Sequence, residues 1–236
     1  MTDTPPLIHL SRIVKSYQAL RPLRIAEFSA SRQDRLVLSG FDAMAAEMFV
    51  YLVTGAALAD EGEVVIAGRN TRDIATDTEW LASLDRFGIV THRAVLLEST
   101  SVAANMALPI TVAIDPMTPE TRTRVEADAA DVGLPPEKLD GPAHALSPAE
   151  RLRLHLARAV SSGPELLMLE HPTAMLNDPA ASAAFGQTLK TLSAKRGFGF
   201  VALSEDEGFA RACAGRKLRL NQKTGRLGGE GPFGLW

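Results

Sequence analysis

Hydrophobic positions along the chain follow two rhythms. Short apolar runs at residues 7–10, 37–38, 63–68 and 88–91 predict strands. Residues 24–29 alternate apolar and polar, the pattern of a strand with one face on a core. Two later runs, Glu165-Leu166-Leu167-Met168-Leu169 and Gly199-Phe200-Val201-Ala202-Leu203, are nearly unbroken, as in strands buried on both faces of a parallel sheet. Helical spacing falls between the runs, at residues 45–54, 80–85, 179–195 and 207–213. Two short strands are expected around Gly225. Residues 93–160 have another character: they are alanine-rich, helical in period, and interrupted by Pro109, Pro116, Pro119, Pro135, Pro136 and Pro142. The pattern predicts one α/β domain over residues 1–236. Its core is residues 1–92 and 161–236, with a helical subdomain of about 93–160 inserted. Alternating strands and helices predict a parallel sheet with right-handed crossovers.

Bulk properties narrow the class. The 236 residues carry a net charge of −3, which gives no electrostatic basis for binding nucleic acid or anionic lipid. The single Cys213 excludes an internal disulfide framework, suits the cytosol, and reads as a small apolar filler. Residues 1–6 are polar and proline-containing, unlike a signal peptide. The longest apolar stretch, residues 48–59, is too short and interrupted to span a bilayer. Any link to a membrane is therefore expected to run through a partner.

The stretch Leu36-Val37-Leu38-Ser39-Gly40-Phe41-Asp42-Ala43-Met44-Ala45-Ala46-Glu47 is the most informative. An apolar strand, a short turn and a helix stopped by Gly55 have the layout of a phosphate loop. Such a loop places glycines in the turn and Lys-Ser or Lys-Thr at the helix start. Only Gly40 remains here; Ala46 and Glu47 fill the Lys and Ser/Thr slots. No shift of register restores the motif, because no lysine lies between Lys15 and Lys138.

Further landmarks follow in a recognisable order. Tyr17 comes after the first strand. Gly62-Glu63-Val64 and Ala67-Gly68 follow the loop helix. Then come Val90-Thr91-His92, the stretch Ser101-Val102-Ala103-Ala104-Asn105-Met106-Ala107-Leu108-Pro109, Leu146-Ser147-Pro148-Ala149-Glu150-Arg151, and Leu156-Ala157-Arg158-Ala159. Leu166 to Thr173, Leu176-Asn177 and Leu203-Ser204-Glu205-Asp206 complete the series. In this order and at this spacing, over residues 7–228, the chain resembles the ATPase subunit of ABC transporters. The resemblance implies the P-loop NTPase-like ABC ATPase fold: a mixed, mainly parallel sheet, an antiparallel β part and an inserted helical subdomain.

The resemblance also assigns positions. It implies that Tyr17 stacks on adenine and that Gly40, Asp42, Ala43, Ala45, Ala46 and Glu47 occupy the Walker A loop. His92 stands at the Q-loop glutamine and Ser147 in the signature, which in the family grips the opposite subunit's ATP. Glu170 stands at the Walker B aspartate, where Mg²⁺ is held, His171 at the general base and Glu205 at the switch histidine. ATP and Mg²⁺ are thus the implied cofactors, but the changed residues imply that binding is weak or absent and hydrolysis lost. Alanines at 43 and 45 would strain any left-handed backbone there. Carboxylates suit free N–H groups at a helix start, so Asp42 or Glu47 is expected to fill the anion position itself.

Several residues keep bland readings. Ser147-Pro148-Ala149-Glu150 reads first as a capping box with proline at the first helical position, which simply starts a helix; a signature serine still touching a partner's ATP is the second reading. His92, His144, His155 and His171 lack metal-ligand spacing. Arg151, Arg153 and Arg158 read as a solvated helix face. Trp80 reads as packing, and Trp236 as either ordered by a partner or frayed.

The resemblance implies a pseudo-ATPase at the cytoplasmic face of a membrane. It would dock a transmembrane permease through residues 88–109, with Ala94 to Leu97 and Met106 to Pro109 as apolar surface. It would pair with itself or with an intact ATPase. Two alternatives stand beside it. One is a working ATPase using Glu170 and His171, with Arg35 or Arg86 for the missing lysine. The other is a scaffold without a permease. The 101–109 stretch looks most like small bacterial ATPases of lipid transport or lipoprotein release.

Overall fold

In the computed structural model, which describes residues 5–229, the strands divide between two sheets. β1 (Ile8–Lys15), β2 (Leu23–Ala30), β4 (Glu61–Ile66) and β5 (Arg69–Asn70) form an antiparallel sheet in the order β2-β1-β4-β5. β3 (Arg35–Ser39), β6 (Phe87–Thr91), β7 (Leu166–Glu170), β8 (Gly199–Leu203), β9 (Arg216–Asn221) and β10 (Arg226–Gly229) form the second, in the order β10-β9-β3-β8-β7-β6. From β9 to β6 every pairing is parallel; only the β9–β10 hairpin is antiparallel.

The central strands show why their runs are unbroken. β7 and β8 are buried at every residue. Successive side chains point to opposite faces. Leu166 and Met168 therefore join the core beneath the antiparallel sheet and α1 (Ala43–Thr54), while Leu167 and Leu169 join the core of the later helices. β3 and β8 divide in the same way: Leu36, Leu38, Val201 and Leu203 on the first side, Val37, Phe200 and Ala202 on the second. Glu170, next after Leu169, falls by parity on the α1 side.

α2 (Asp77–Leu84) precedes β6. α3 (Val102–Ala107), α4 (Pro119–Val132) and α5 (Pro148–Ser161) lie between β6 and β7 and pack on the second core. α6 (Pro179–Arg196) and α7 (Glu207–Cys213) pack against each other, with Phe185 stacked on Phe209 at 6.0 Å. Cys213 is buried at their junction, and burial pushes its thiol up to about 12.

The structure lengthens several predicted elements. β1 runs on to Lys15 through a register shift between Ser11 and Val14, where Arg12 has φ 51°. A Cβ on Gly62 would lie 2.4 Å from the Arg12 carbonyl oxygen, so the bulge itself requires that glycine. The run 63–68 is β4 entering a turn, as its sequence suggests: the chain turns at Ala67 and Gly68 and returns as β5. α2 starts at Asp77 rather than Trp80 because the Thr76 side chain caps it by accepting from the Glu79 N–H. Trp80 packs on Gly55, and its indole N–H donates to the Thr54 carbonyl at 2.9 Å. Trp236 lies outside the described residues.

Gly88 marks where the sheet meets α5 most closely. A Cβ there would lie 2.2 Å from the Ala159 carbonyl oxygen and 2.4 Å from Leu167. Gly88→Ala should therefore destabilise the fold by about 1–3 kcal/mol through overpacking. Urea unfolding should show a lower midpoint at unchanged slope.

Candidate functional site

The candidate site lies at the carboxyl ends of β3, β7 and β8. β3 stops at Ser39, and Gly40 follows with φ 85°. A Cβ on Gly40 would lie 2.6 Å from the Leu220 carbonyl oxygen, so the approach of β9 is reason enough for a glycine. Its carbonyl accepts from the Gln222 side-chain amide at 2.9 Å. Phe41 is buried edge-on against Phe49 at 5.5 Å and anchors the turn. Asp42 then caps α1: its carboxylate accepts from the Ala45 N–H at 2.8 Å, and its carbonyl from the Ala46 N–H at 2.9 Å.

This turn is tighter than the expected loop. Ala43, Ala45 and Ala46 are helical, and none has a positive φ, so the expected strain at Ala43 and Ala45 is absent. Ala46, in the lysine slot, is wholly buried. The Gly40 N–H donates to the Glu205 carboxylate at 2.5 Å. Of the two carboxylates expected at the anion position, Asp42 is the one that lies at the helix start. Asp42 takes a helix N–H, Glu205 takes the glycine N–H, and Glu47 turns elsewhere.

Glu47 faces the other edge of α1. Four residues on, Tyr51 lies on the same helical face and donates its hydroxyl to Glu47 at 2.6 Å. Both meet Arg93, the second residue after β6. One terminal guanidinium nitrogen, Nη1, donates to Glu47 at 2.5 Å and to the Tyr51 oxygen at 2.8 Å. Nε and Nη2 donate to the two carboxylate oxygens of Glu170 at 3.1 and 2.5 Å. The guanidinium carbon lies 5.3 Å from the Tyr51 ring centre. Glu170 is 1% exposed, so Arg93 is the counter-charge that makes its burial tolerable. The pair with Glu170, above all, holds the Arg93 charge more firmly than usual.

No motif pointed to Arg93; its nearest sequence landmark is His92. The two arginines suggested for the missing lysine lie at the opposite end of the sheet. Arg35 opens β3, and Arg86, just before β6, donates to Glu165 at 2.5 Å. Parity of β7 and the reach of an arginine from the end of β6 were the only available signals.

The remaining predicted residues are spread around this centre. Tyr17 is half-buried beside a cavity of about 420 Å³ that also touches Asp42 and Gln222. Burial, then the Asp42 charge, raises its phenol pKa. His171 has φ 40°, its N–H donates to the Leu203 carbonyl at 2.9 Å, and its ring Nε2 is buried without a partner. Ser147 is committed to its helix. Its backbone N–H donates to the Glu150 carboxylate at 2.8 Å and its hydroxyl accepts from the Glu150 N–H at 3.3 Å, completing the capping box. Among the described residues no group of three or more His, Cys, Asp or Glu side chains is placed to hold a metal.

The three arginines of α5 are tethers rather than a solvated face. Arg151 holds Glu98 with two bonds of 2.6 and 2.9 Å, Arg153 donates to the Gly133 carbonyl at 2.9 Å, and Arg158 to the Val95 carbonyl at 2.7 Å. Arg151 lines a cavity of about 580 Å³ together with His92, Val95, His155 and Met175, and Arg158 holds its Val95 wall. The apolar surface expected over 88–109 is narrower than its sequence. Leu96, Met106 and Ala107 are core, whereas Val95 is 76% and Leu97 41% exposed.

His155 sits in this wall. Burial first, then the nearby Arg158, Arg151 and His92 charges, push its pKa from 6.5 down to about 4, with Glu98 opposing them. In the folded chain it stays neutral, while in the unfolded chain it takes a proton as soon as the pH drops below 6.5. Its contribution to stability is intact above that pH and is lost as the pH falls toward 4. With part of the ring in solvent, the loss should reach about 1–2 kcal/mol. Urea midpoints measured across this range should fall less steeply for His155→Gln than for the wild type.

Residues 44–174 match the family model described as ABC transporter. The lipoprotein-releasing system ATP-binding protein LolD of Alcanivorax borkumensis is 28% identical over 218 residues, covering 90% of this chain and 94% of that protein. The methionine import ATP-binding protein MetN of Brucella abortus is 26% identical over 228 residues, covering 96% of this chain and 60% of that protein. The dimeric post-hydrolysis state of the ATP-binding cassette MJ0796 bound to ADP and Pi superposes with a TM-score of 0.75 at 20% identity, over 96% of this chain and 100% of that one. A nucleotide-free cassette from an ABC transporter superposes with 0.76 at 16% identity, over 94% and 90%.

Proposed function

We propose a function from one premise: the chain belongs to the ABC transporter family. It is the ATP-binding cassette subunit of a bacterial-type transporter, and it works as a pseudo-ATPase with a structural or regulatory role. Members of the family generally bind ATP with Mg²⁺. The residues at the corresponding positions here do not fit that group. The observation that carries this reading is the state of the loop donors. The N–H groups of Gly40 and Ala45 are already held by Glu205 and Asp42, and that of Ala46 by the helix. No lysine stands in the loop or in α1, and the Glu170 oxygens are both held by Arg93. Each missing charge-assisted bond removes about 1.5–3 kcal/mol of ligand binding. His171 in place of the base removes about 10²–10⁴ in rate if it fails to act.

The subunit docks a transmembrane permease at the cytoplasmic face; no described helix is itself long and apolar enough to cross a membrane. Exposed Val95 and Leu97 beside the large cavity supply the apolar contact. It pairs with a second copy or with an intact cassette. The similarity to LolD favours a system of lipoprotein-release type.

Calorimetric titration with Mg²⁺ and ATP, followed by a phosphate-release assay, tests the reading. The expected result is no binding heat at millimolar nucleotide and turnover equal to the blank. Binding at micromolar to sub-millimolar strength, or turnover abolished by His171→Ala, contradicts it.

A further inference from the structure

Glu47 and Glu170 come from different elements, α1 and β7, yet both carboxylates end on one guanidinium. Two neighbouring carboxylates, one of them buried as Glu170 is, repel each other unless a cation lies between them. In this structure the chain supplies that cation. We propose that Arg93 is a resident cation, standing in the place a divalent metal would take between Glu47 and Glu170, and that it ties the segment after β6 to the core without any ligand. The inference rests on the reading of this site as one that works without nucleotide.

The tie has a second end. Beyond Arg93 the segment is fastened to the helices. Arg158 donates to the Val95 carbonyl, and Arg151 holds Glu98. The Asn105 side chain pairs with the Leu97 backbone N–H and carbonyl at 2.8 and 3.0 Å. Arg93 therefore joins α1 and β7 on one side to α3 and α5 on the other through residues 94–98. A metal–nucleotide held by the same carboxylates would come and go, whereas a covalently attached guanidinium is always present. The segment bearing exposed Val95 and Leu97 is accordingly held in one arrangement. A lysine would not serve, because its single ammonium cannot span both carboxylates with matched bonds.

Mn²⁺ alone is the probe. Wild type, R93A and R93A/E170Q are titrated with Mn²⁺ and followed by electron paramagnetic resonance, with hydrogen exchange of residues 94–98 recorded in parallel. The wild type is expected to take up no Mn²⁺. R93A should bind one ion per chain, with exchange at 94–98 faster than wild type and slowed again by the metal. R93A/E170Q should bind at least about tenfold more weakly. Uptake by the wild type equal to that of R93A overturns the proposal, as does a folded R93A that takes up none.

Should R93A fail to fold, R93K carries the test. Faster exchange at 94–98 with β1 and β2 unchanged supports the tie; exchange equal to wild type overturns it. The two readings fail separately. Nucleotide binding by the wild type, with Mn²⁺ alone still excluded, removes the pseudo-ATPase and leaves the resident cation. Mn²⁺ uptake without nucleotide binding does the reverse.

Discussion

The Arg93 guanidinium and the buried Glu170 carboxylate form the contact around which the candidate site is arranged. A carboxylate at the end of a fully buried strand has lost nearly all its water, and without a partner it would carry a penalty of several kcal/mol. Two parallel bonds from one guanidinium remove most of that penalty and fix the arginine's orientation. The remaining nitrogen then points at α1, where Glu47 and Tyr51 wait one helical turn apart. One group thus links α1, already seated on β7 by its apolar face, to the chain after β6.

The turn after β3 shows a related economy. A phosphate cradle keeps several backbone N–H groups unpaired and aimed at a common centre, which is costly when nothing is bound. Here α1 begins at Ala43, so those residues are already helical. Asp42 and Glu205 provide the acceptors that a ligand would otherwise bring. The result is a turn that is satisfied when empty. Ala45 and Ala46 suit this, since both are helical and buried in the core that also holds Leu36 and Phe49, where small apolar side chains fit.

Much of the fold was legible because its signals are local. The unbroken runs of β7 and β8, the alternation of β2 and the cap at Ser147 each rest on spacing within a few residues. The bulge at Arg12 was not legible, since it is imposed by a strand distant in sequence, whereas the turn at Ala67 and Gly68, the end of a local hairpin, was. The site was legible mainly as a set of missing residues. Its positive content depends on contacts over long separations: Gly40 with Glu205, Arg93 with Glu47, and Arg93 with Glu170. A single sequence shows an arginine after a strand but not which carboxylates it will meet. The α5 arginines misled for the same reason: charged residues at helical spacing look solvated until their carbonyl and carboxylate partners are seen.

The most direct test of the central claim is a crystal structure of the wild-type chain grown with saturating Mg²⁺ and a non-hydrolysable ATP analogue. The account predicts Arg93 bridging Glu47 and Glu170, Glu205 on the Gly40 N–H, and no nucleotide at the turn. An analogue seated on residues 40–47, with Arg93 displaced and a metal on Glu170, would contradict it.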